Sequence, residues 1–204
     1  MRQERLMNLE RELSGLAGYE GWMIGKCRFF FGAETEQAAV PGEADAREKS
    51  AKFRVLRSGS RLAEVEILRP AANDRLLVTL IDPVRETEAN VRHGRMAESP
   101  PDIKEKQENE PGRWFVAERA DVDAYLEASG DNNPIHQDAH AVVPGFFMVN
   151  RIARDCGDCR EIAVRFYHPL YIGEAARLTV DRSGEKKSAE LFTEQEKILQ
   201  MIFT

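Results

Sequence analysis

The sequence predicts an α+β fold in which an antiparallel sheet wraps a buried helix. Three observations carry this. Segments that alternate apolar and polar residues recur along the chain, each bounded by turn residues. The segment "GFFMVNRIARDC" is apolar on nearly all sides, the pattern of a helix enclosed by other elements. The two halves of the chain also share one plan: a strand, a connection, then an antiparallel meander.

The elements follow in order. In "MRQERLMNLERELSGL", Leu6, Leu9, Leu13 and Leu16 recur at spacings of three, four and three. That is one apolar stripe on a helix of about four turns, closed by Gly15 or Gly18. So short a stripe reads as a docking helix rather than a coiled coil, and residues 1–18 form this unit. Residues 19–85 follow, with "CRFFFGA" as a strand and "ETEQAAVPGEADAREKS" as a polar connection with room for a short helix. Then "AKFRVLRSG", "RLAEVEILRP" and "RLLVTLID" make a meander with one wet face. Residues 86–112 hold few apolar side chains, a Pro-Pro pair and a charge run, which reads as a linker.

Residues 113–204 restart with the strand "RWFVA". A short helix places Val122, Tyr125, Leu126 and Ser129 on one face, with Gly130 at its C-terminal end. After the apolar helix come "EIAVRFYHPLY", "AARLTVDRS", "KSAELFTE" and "KILQMIFT" as strands. A sheet wrapped round a buried helix is the hotdog arrangement. Two such units, the N-terminal one degenerate, make a double hotdog, a pseudo-dimer in one chain; pairing of two chains as a homodimer is the other assembly. Joining two sheets covers an otherwise exposed edge.

Composition narrows the functional classes. The 204 residues carry a net charge of -6, which disfavours a nucleic-acid surface. The 42% hydrophobic content suits a globular core, yet the apolar runs are too short to span a bilayer. The opening segment has no apolar core of a secretory signal and the chain has only three cysteines, so a reducing cytoplasm is the expectation.

The chemistry concentrates in "SGDNNPIHQDAHAVVPGFFM". Asp131 and His136 flank an Asn-Pro turn, since Pro134 forces Asn133 out of helical geometry. The turn lets both side chains point into one space, where a carboxylate and an imidazole share a water. Pro144-Gly145 then opens the apolar helix, whose first N–H groups lack internal partners. Gly145 lets a substrate carbonyl approach that N–H closely, forming an oxyanion site for a thioester that becomes enolate-like. The plainer reading is a polar turn with a structural histidine ahead of a core helix.

The segment "YLEASGDNNPIH" resembles the signature of the MaoC-like (R)-specific enoyl-CoA hydratases. That signature is an aromatic residue, then Ser-Gly-Asp-x-Asn-Pro, an aliphatic residue and His. Ser129, Gly130, Asp131, Asn133, Pro134, Ile135 and His136 fill it, and the likeness covers about residues 113–204. It implies that Asp131 and His136 activate water and that the Gly145 N–H polarises the thioester carbonyl. Ser129 and Asn133 would support the pair, and Phe146 and Phe147 would line the acyl pocket. Pro144 departs from the family, which usually has His there. "HQDAHAVVPGFFMVNRIA" also resembles the β-hydroxyacyl-ACP dehydratases, whose helix acid falls at Asn150, an amide. These resemblances imply a hydro-lyase acting on acyl thioesters, with CoA or acyl carrier protein as carrier and no metal or redox cofactor. A hotdog thioesterase and a non-catalytic acyl-thioester-binding protein are the alternatives.

Other signals read as structural. Cys156 and Cys159 have the spacing of a metal or redox pair, but Cys27 is the only further cysteine. His93 falls in the linker, His140 in a loop, and His168 ahead of Pro169 where it faces solvent. Arg151, Arg154 and Arg165 are expected on the rim, where they meet solvent or a carrier's phosphates.

Overall fold

The computed structural model describes residues 2–32, 51–83, 112–138, 140–154, 157, 159–184 and 186–204. His93, Cys156, the polar connection within residues 33–50 and nearly all of the expected linker lie outside the described residues. Helix α1 (Arg2–Ser14) precedes strands β1 (Met23–Phe30), β2 (Lys52–Ser58), β3 (Leu62–Arg69) and β4 (Asp74–Ile81). Then come β5 (Arg113–Val116), helix α2 (Arg119–Ser129), a 3-10 turn at Pro134–His136 and helix α3 (Gly145–Ala153). The chain closes with β6 (Glu161–Phe166), β7 (Ala175–Asp181), β8 (Lys187–Phe192) and β9 (Lys197–Phe203).

All nine described strands form one sheet in the order β2-β3-β4-β1-β6-β9-β8-β7-β5. The halves meet at the antiparallel pair β1·β6, where Cys27 faces Val164 and Phe29 faces Ile162. The N-terminal half reads β2-β3-β4-β1 outward to inward, mirroring β7-β8-β9-β6 on the other side, with β5 added at the far edge.

Register follows burial. Ile67, Leu76, Phe29, Ile162 and Phe203 are successive cross-strand partners, and all are buried on the inner face. Because side chains alternate, a slip of one residue would turn this row to solvent. The alternation is weakest in β2, which is exposed throughout at the sheet edge.

Helix α3 lies on this inner face, and every residue from Phe146 to Asn150 is buried. It ends at Ala153, sooner than the apolar pattern suggests. Helix α1 covers the N-terminal half and packs on α3, α2, β3 and β4. Leu6 and Leu9 are buried; Leu16 packs on the core from beyond the helix end, since α1 stops at Ser14. The Arg5 guanidinium pins the helix to β4 by a paired contact with Asp74, whose side chain is fully buried. Among the described residues, no helix is long and apolar enough to cross a membrane.

Candidate active site

The polar turn after α2 is built by local hydrogen bonds. Gly130 takes the left-handed conformation at φ 71° and donates its N–H to the Leu126 carbonyl at 2.9 Å, which ends the helix. Ser129, buried, accepts the Asp131 N–H at 3.3 Å. Asp131 Oδ1 accepts the Asn133 N–H at 2.9 Å, leaving Oδ2 free to face His136. The 3-10 turn at Pro134–His136 then carries the imidazole to the same side.

Asn133 holds the turn against the other half of the molecule. Its Oδ1 accepts the Gly21 N–H at 3.1 Å and its Nδ2 donates to the Trp22 carbonyl at 2.9 Å. The two supporting residues expected from the sequence, Ser129 and Asn133, thus brace the turn from behind.

His136 Nε2 lies 3.4 Å from Asp131 Oδ2. Nδ1 lies 2.7 Å from the Val142 carbonyl. A carbonyl only accepts, so Nδ1 carries the hydrogen and the neutral ring presents Nε2 as an acceptor. Burial pushes the His136 imidazole below its ordinary pKa, and the Asp131 charge and the Val142 carbonyl offset this in part. At neutral pH the ring is therefore uncharged, and two acceptors face each other.

Both side chains open onto a cavity of about 790 Å3. Gly145, Phe146, Met148 and Phe166 line it from the C-terminal half; Trp22, Ile24 and Leu80 line it from the N-terminal half; Leu13 adds a wall from α1. The volume suits a small-molecule ligand and the wall is mostly apolar. Gly145 is the first residue of α3, and its N–H finds no acceptor among the described residues. A Cβ at this position would meet the Phe166 ring at 3.1 Å, so glycine is what keeps the helix start open.

The two phenylalanines expected to form an acyl pocket part company. Phe146 lines the cavity and packs on Phe29. Phe147 does not line it: its ring packs edge-on against Tyr125, 5.3 Å away, and against Phe115. Neighbouring residues on a helix point about 100° apart, so one face of α3 serves the cavity and the other the core.

The remaining candidates are also placed. Arg151 is half-buried and engaged: it donates to the Val116 carbonyl at 3.0 Å, lies 3.6 Å from Asp121 and stands over the Phe115 and Phe147 rings. Arg165 lines the cavity and stacks on Tyr167, while Arg154 is exposed. His140 is exposed, and His168 lies 3.3 Å from Glu196 at the cavity edge. Among the described residues no cluster of His, Cys, Asp and Glu has the geometry of a metal site.

One residue escaped the sequence reading. Glu10 of α1 is 3% exposed, accepts a hydrogen bond from the Tyr125 hydroxyl and lines the same cavity. Burial pushes its carboxyl well above the usual carboxylate range; the Tyr125 bond opposes this and the Asp131 charge adds to it. The signal was present: Glu10 falls four residues after Leu6 and three before Leu13, beside the apolar stripe.

Comparison with solved structures bears on the architecture. HtdX of Mycobacterium tuberculosis superposes with a TM-score of 0.61 at 12% identity, over 98% of this chain and 91% of that one. A MaoC-like dehydratase from Phytophthora capsici gives 0.56 at 15% identity, over 93% and 74%. A putative oleoyl thioesterase from Lactobacillus plantarum gives 0.52 at 11% identity, over 99% and 82%. The fold is a double hotdog. No protein-family model matches the chain, and no curated protein sequence does. The likeness is therefore one of hotdog architecture, and among the described residues α1 is the helix that packs on β3 and β4 of the N-terminal half.

Proposed function

We propose that this protein is a hydro-lyase acting on acyl thioesters, hydrating a trans-2-enoyl group or dehydrating the 3-hydroxyacyl form. The observation that carries the reading is the opposed pair of acceptors, Asp131 Oδ2 and His136 Nε2, 3.4 Å apart on the wall of one cavity with the free Gly145 N–H. One water donating a hydrogen to each acceptor leaves its lone pair for Cβ of an enoyl group. The water's oxygen bonds to Cβ as a proton passes to the pair, and charge moves from the C=C bond to the thioester oxygen. The Gly145 N–H at the start of α3 holds that oxygen. Phe146 and the N-terminal half supply an apolar wall for the acyl chain. The carrier is CoA or an acyl carrier protein, outside the cavity mouth near Arg165.

The test is loss of absorbance of the conjugated thioester, run on enoyl-CoA and enoyl-ACP of graded chain length. Asp131→Asn is expected to lower kcat by roughly 10²–10⁴-fold. No hydration by the wild type on any chain or carrier removes the reading. Full activity of the variant removes Asp131 from the site.

Hydrolysis of the thioester is the second reading, favoured by the likeness to the putative oleoyl thioesterase. Here the pair would direct water at the carbonyl carbon. Release of free thiol, followed with a disulfide reagent, separates the two reactions.

A further inference from the structure

The dyad as built holds no proton to give. The His136 Nδ1–H is committed to the Val142 carbonyl at 2.7 Å, and Nε2 faces Asp131 Oδ2 at 3.4 Å as a second acceptor. Hydration must also place a hydrogen on Cα. A separate proton-bearing group does this without waiting for the water's proton to cross the substrate.

One side chain on the cavity wall has the needed character. Glu10 comes from α1, not from the catalytic half, and is 3% exposed. Among the described residues no cation pairs with the carboxyl. Tyr125 of α2 bonds to it, and the Asn150 amide of α3 stands at the Tyr125 hydroxyl. The charge of Asp131 reaches it, and His136 shares its cavity. On the inner face of β3 and β4 the titratable side chain is Asp74, which Arg5 holds. Arg11, one residue along α1, is turned outward to the Ala128 carbonyl at 2.7 Å.

Asn150 allows a second arrangement of these groups. Its Oδ1 is buried with no partner among the described residues. Amide oxygen and nitrogen are interchangeable by a half-turn of the side chain. That turn brings Oδ1 to the Tyr125 hydroxyl, which then donates to Asn150 and accepts from Glu10. In that arrangement Glu10 carries the hydrogen and donates it to Tyr125, and the amide nitrogen takes the place of Oδ1.

We propose that Glu10 is the general acid of this site, delivering a proton to Cα while Asp131 and His136 take one from water. Two carboxyls in one cavity divide acid and base roles when their surroundings differ, and Glu10 is fully enclosed whereas the Asp131 side chain is 17% exposed. In the step, an O–H bond of water breaks toward the dyad as O–Cβ forms, and the Glu10 O–H bond breaks as H–Cα forms. The proton held by the dyad then returns to Glu10, so the cycle closes with no other reactant. In dehydration each transfer runs in reverse.

This inference rests on the hydro-lyase reading, and the experiment separates the two. Wild-type hydration is measured first across neutral and alkaline pH; its absence overturns both. With activity in hand, Glu10→Gln is expected to lower kcat by about 100-fold with KM little changed. The limb on which wild-type activity falls as pH rises, set by ionisation of Glu10, is expected to vanish. Thermal stability of this variant at neutral pH should equal or exceed wild type, because an amide replaces a buried acid. Glu10→Asp keeps a proton donor and should retain both the limb and part of kcat. Wild-type kcat in Glu10→Gln, or an alkaline limb unmoved by it, overturns the assignment while leaving the hydro-lyase reading intact.

Discussion

The contact that joins α1 to the C-terminal half is open to direct measurement through Tyr125→Phe. The Tyr125 ring is 9% exposed and packs edge-on against Phe147 at 5.3 Å with an interplanar angle of 80°. Phenylalanine keeps that packing and that apolar burial, so the hydroxyl alone is removed. What is left behind is the Glu10 carboxyl, buried and without the partner given above. An unsatisfied buried polar group costs about 1–3 kcal/mol. In a chain of this size that corresponds to a fall in Tm of roughly 2–12 °C. Urea unfolding followed by the fluorescence of Trp22 and Trp114 measures it, and an unchanged m-value shows that the folded state is intact. Glu10→Leu in the Tyr125→Phe background replaces both partners with apolar groups and should recover most of the loss, giving a coupling of about 1–2 kcal/mol in the double-mutant cycle. A single-variant cost below about 0.5 kcal/mol with no coupling would show that Glu10 and Tyr125 do not hold each other.

Two further outcomes test the rest of the site. Gly145→Ala places a methyl 3.1 Å from the Phe166 ring, which borders the cavity and has room to give. The helix gains up to about 1 kcal/mol in propensity against that strain, so stability should shift by less than about 1 kcal/mol. Turnover should fall about 10–100-fold, because the thioester oxygen loses its approach to the N–H; unchanged kcat would remove Gly145 from the site. His136 titrates below its ordinary 6.5, so the acid limb of kcat/KM should fall below pH 6.5. Its contribution to stability is present above 6.5 and is lost as pH falls through the depressed folded value. Asp131→Asn removes a charge that raises this pKa and should move the imidazole titration, followed by proton NMR, to still lower pH; an upward move would contradict the geometry.

The parts legible in the sequence were those fixed over short stretches. Alternation marked strands such as β3 and β4, because one face of the sheet is buried there and the other is more exposed. The C-terminal glycine of α2 and the Asn-Pro turn were legible for the same reason: Gly130 and Pro134 constrain their own backbone. The pairing of Asp131 with His136 followed from these, since His136 falls only five positions after Asp131. Side-chain direction on α3 was not legible, as a helix apolar on nearly all sides gives no sign of which face meets the cavity; Phe146 and Phe147 looked equivalent. Nor was any pairing over long separation. Glu10 and Tyr125 are 115 residues apart, and Asn133 and Trp22 are 111 apart. Nothing local in either partner records the other, beyond an acid set beside an apolar stripe.

The helix read as a docking element from its leucines has a second face, and that face explains why the degenerate half persists. The dyad, its turn and the Gly145 N–H all belong to residues 113–204 and take no side chain from the N-terminal half. The cavity does. Its far wall is β1, β4 and α1, through Ile24, Leu80 and Leu13. The turn that carries Asp131 is tied by Asn133 to the Gly21 N–H and the Trp22 carbonyl just ahead of β1. Removing the N-terminal half would therefore open the cavity to water, expose the β6 edge now paired with β1, and release the turn. On the proposed hydro-lyase reading, a water-filled site would weaken each electrostatic interaction that the enolate-like charge depends on. The N-terminal half thus supplies the far wall of the cavity, and α1 is the part of that wall that brings Glu10 to it.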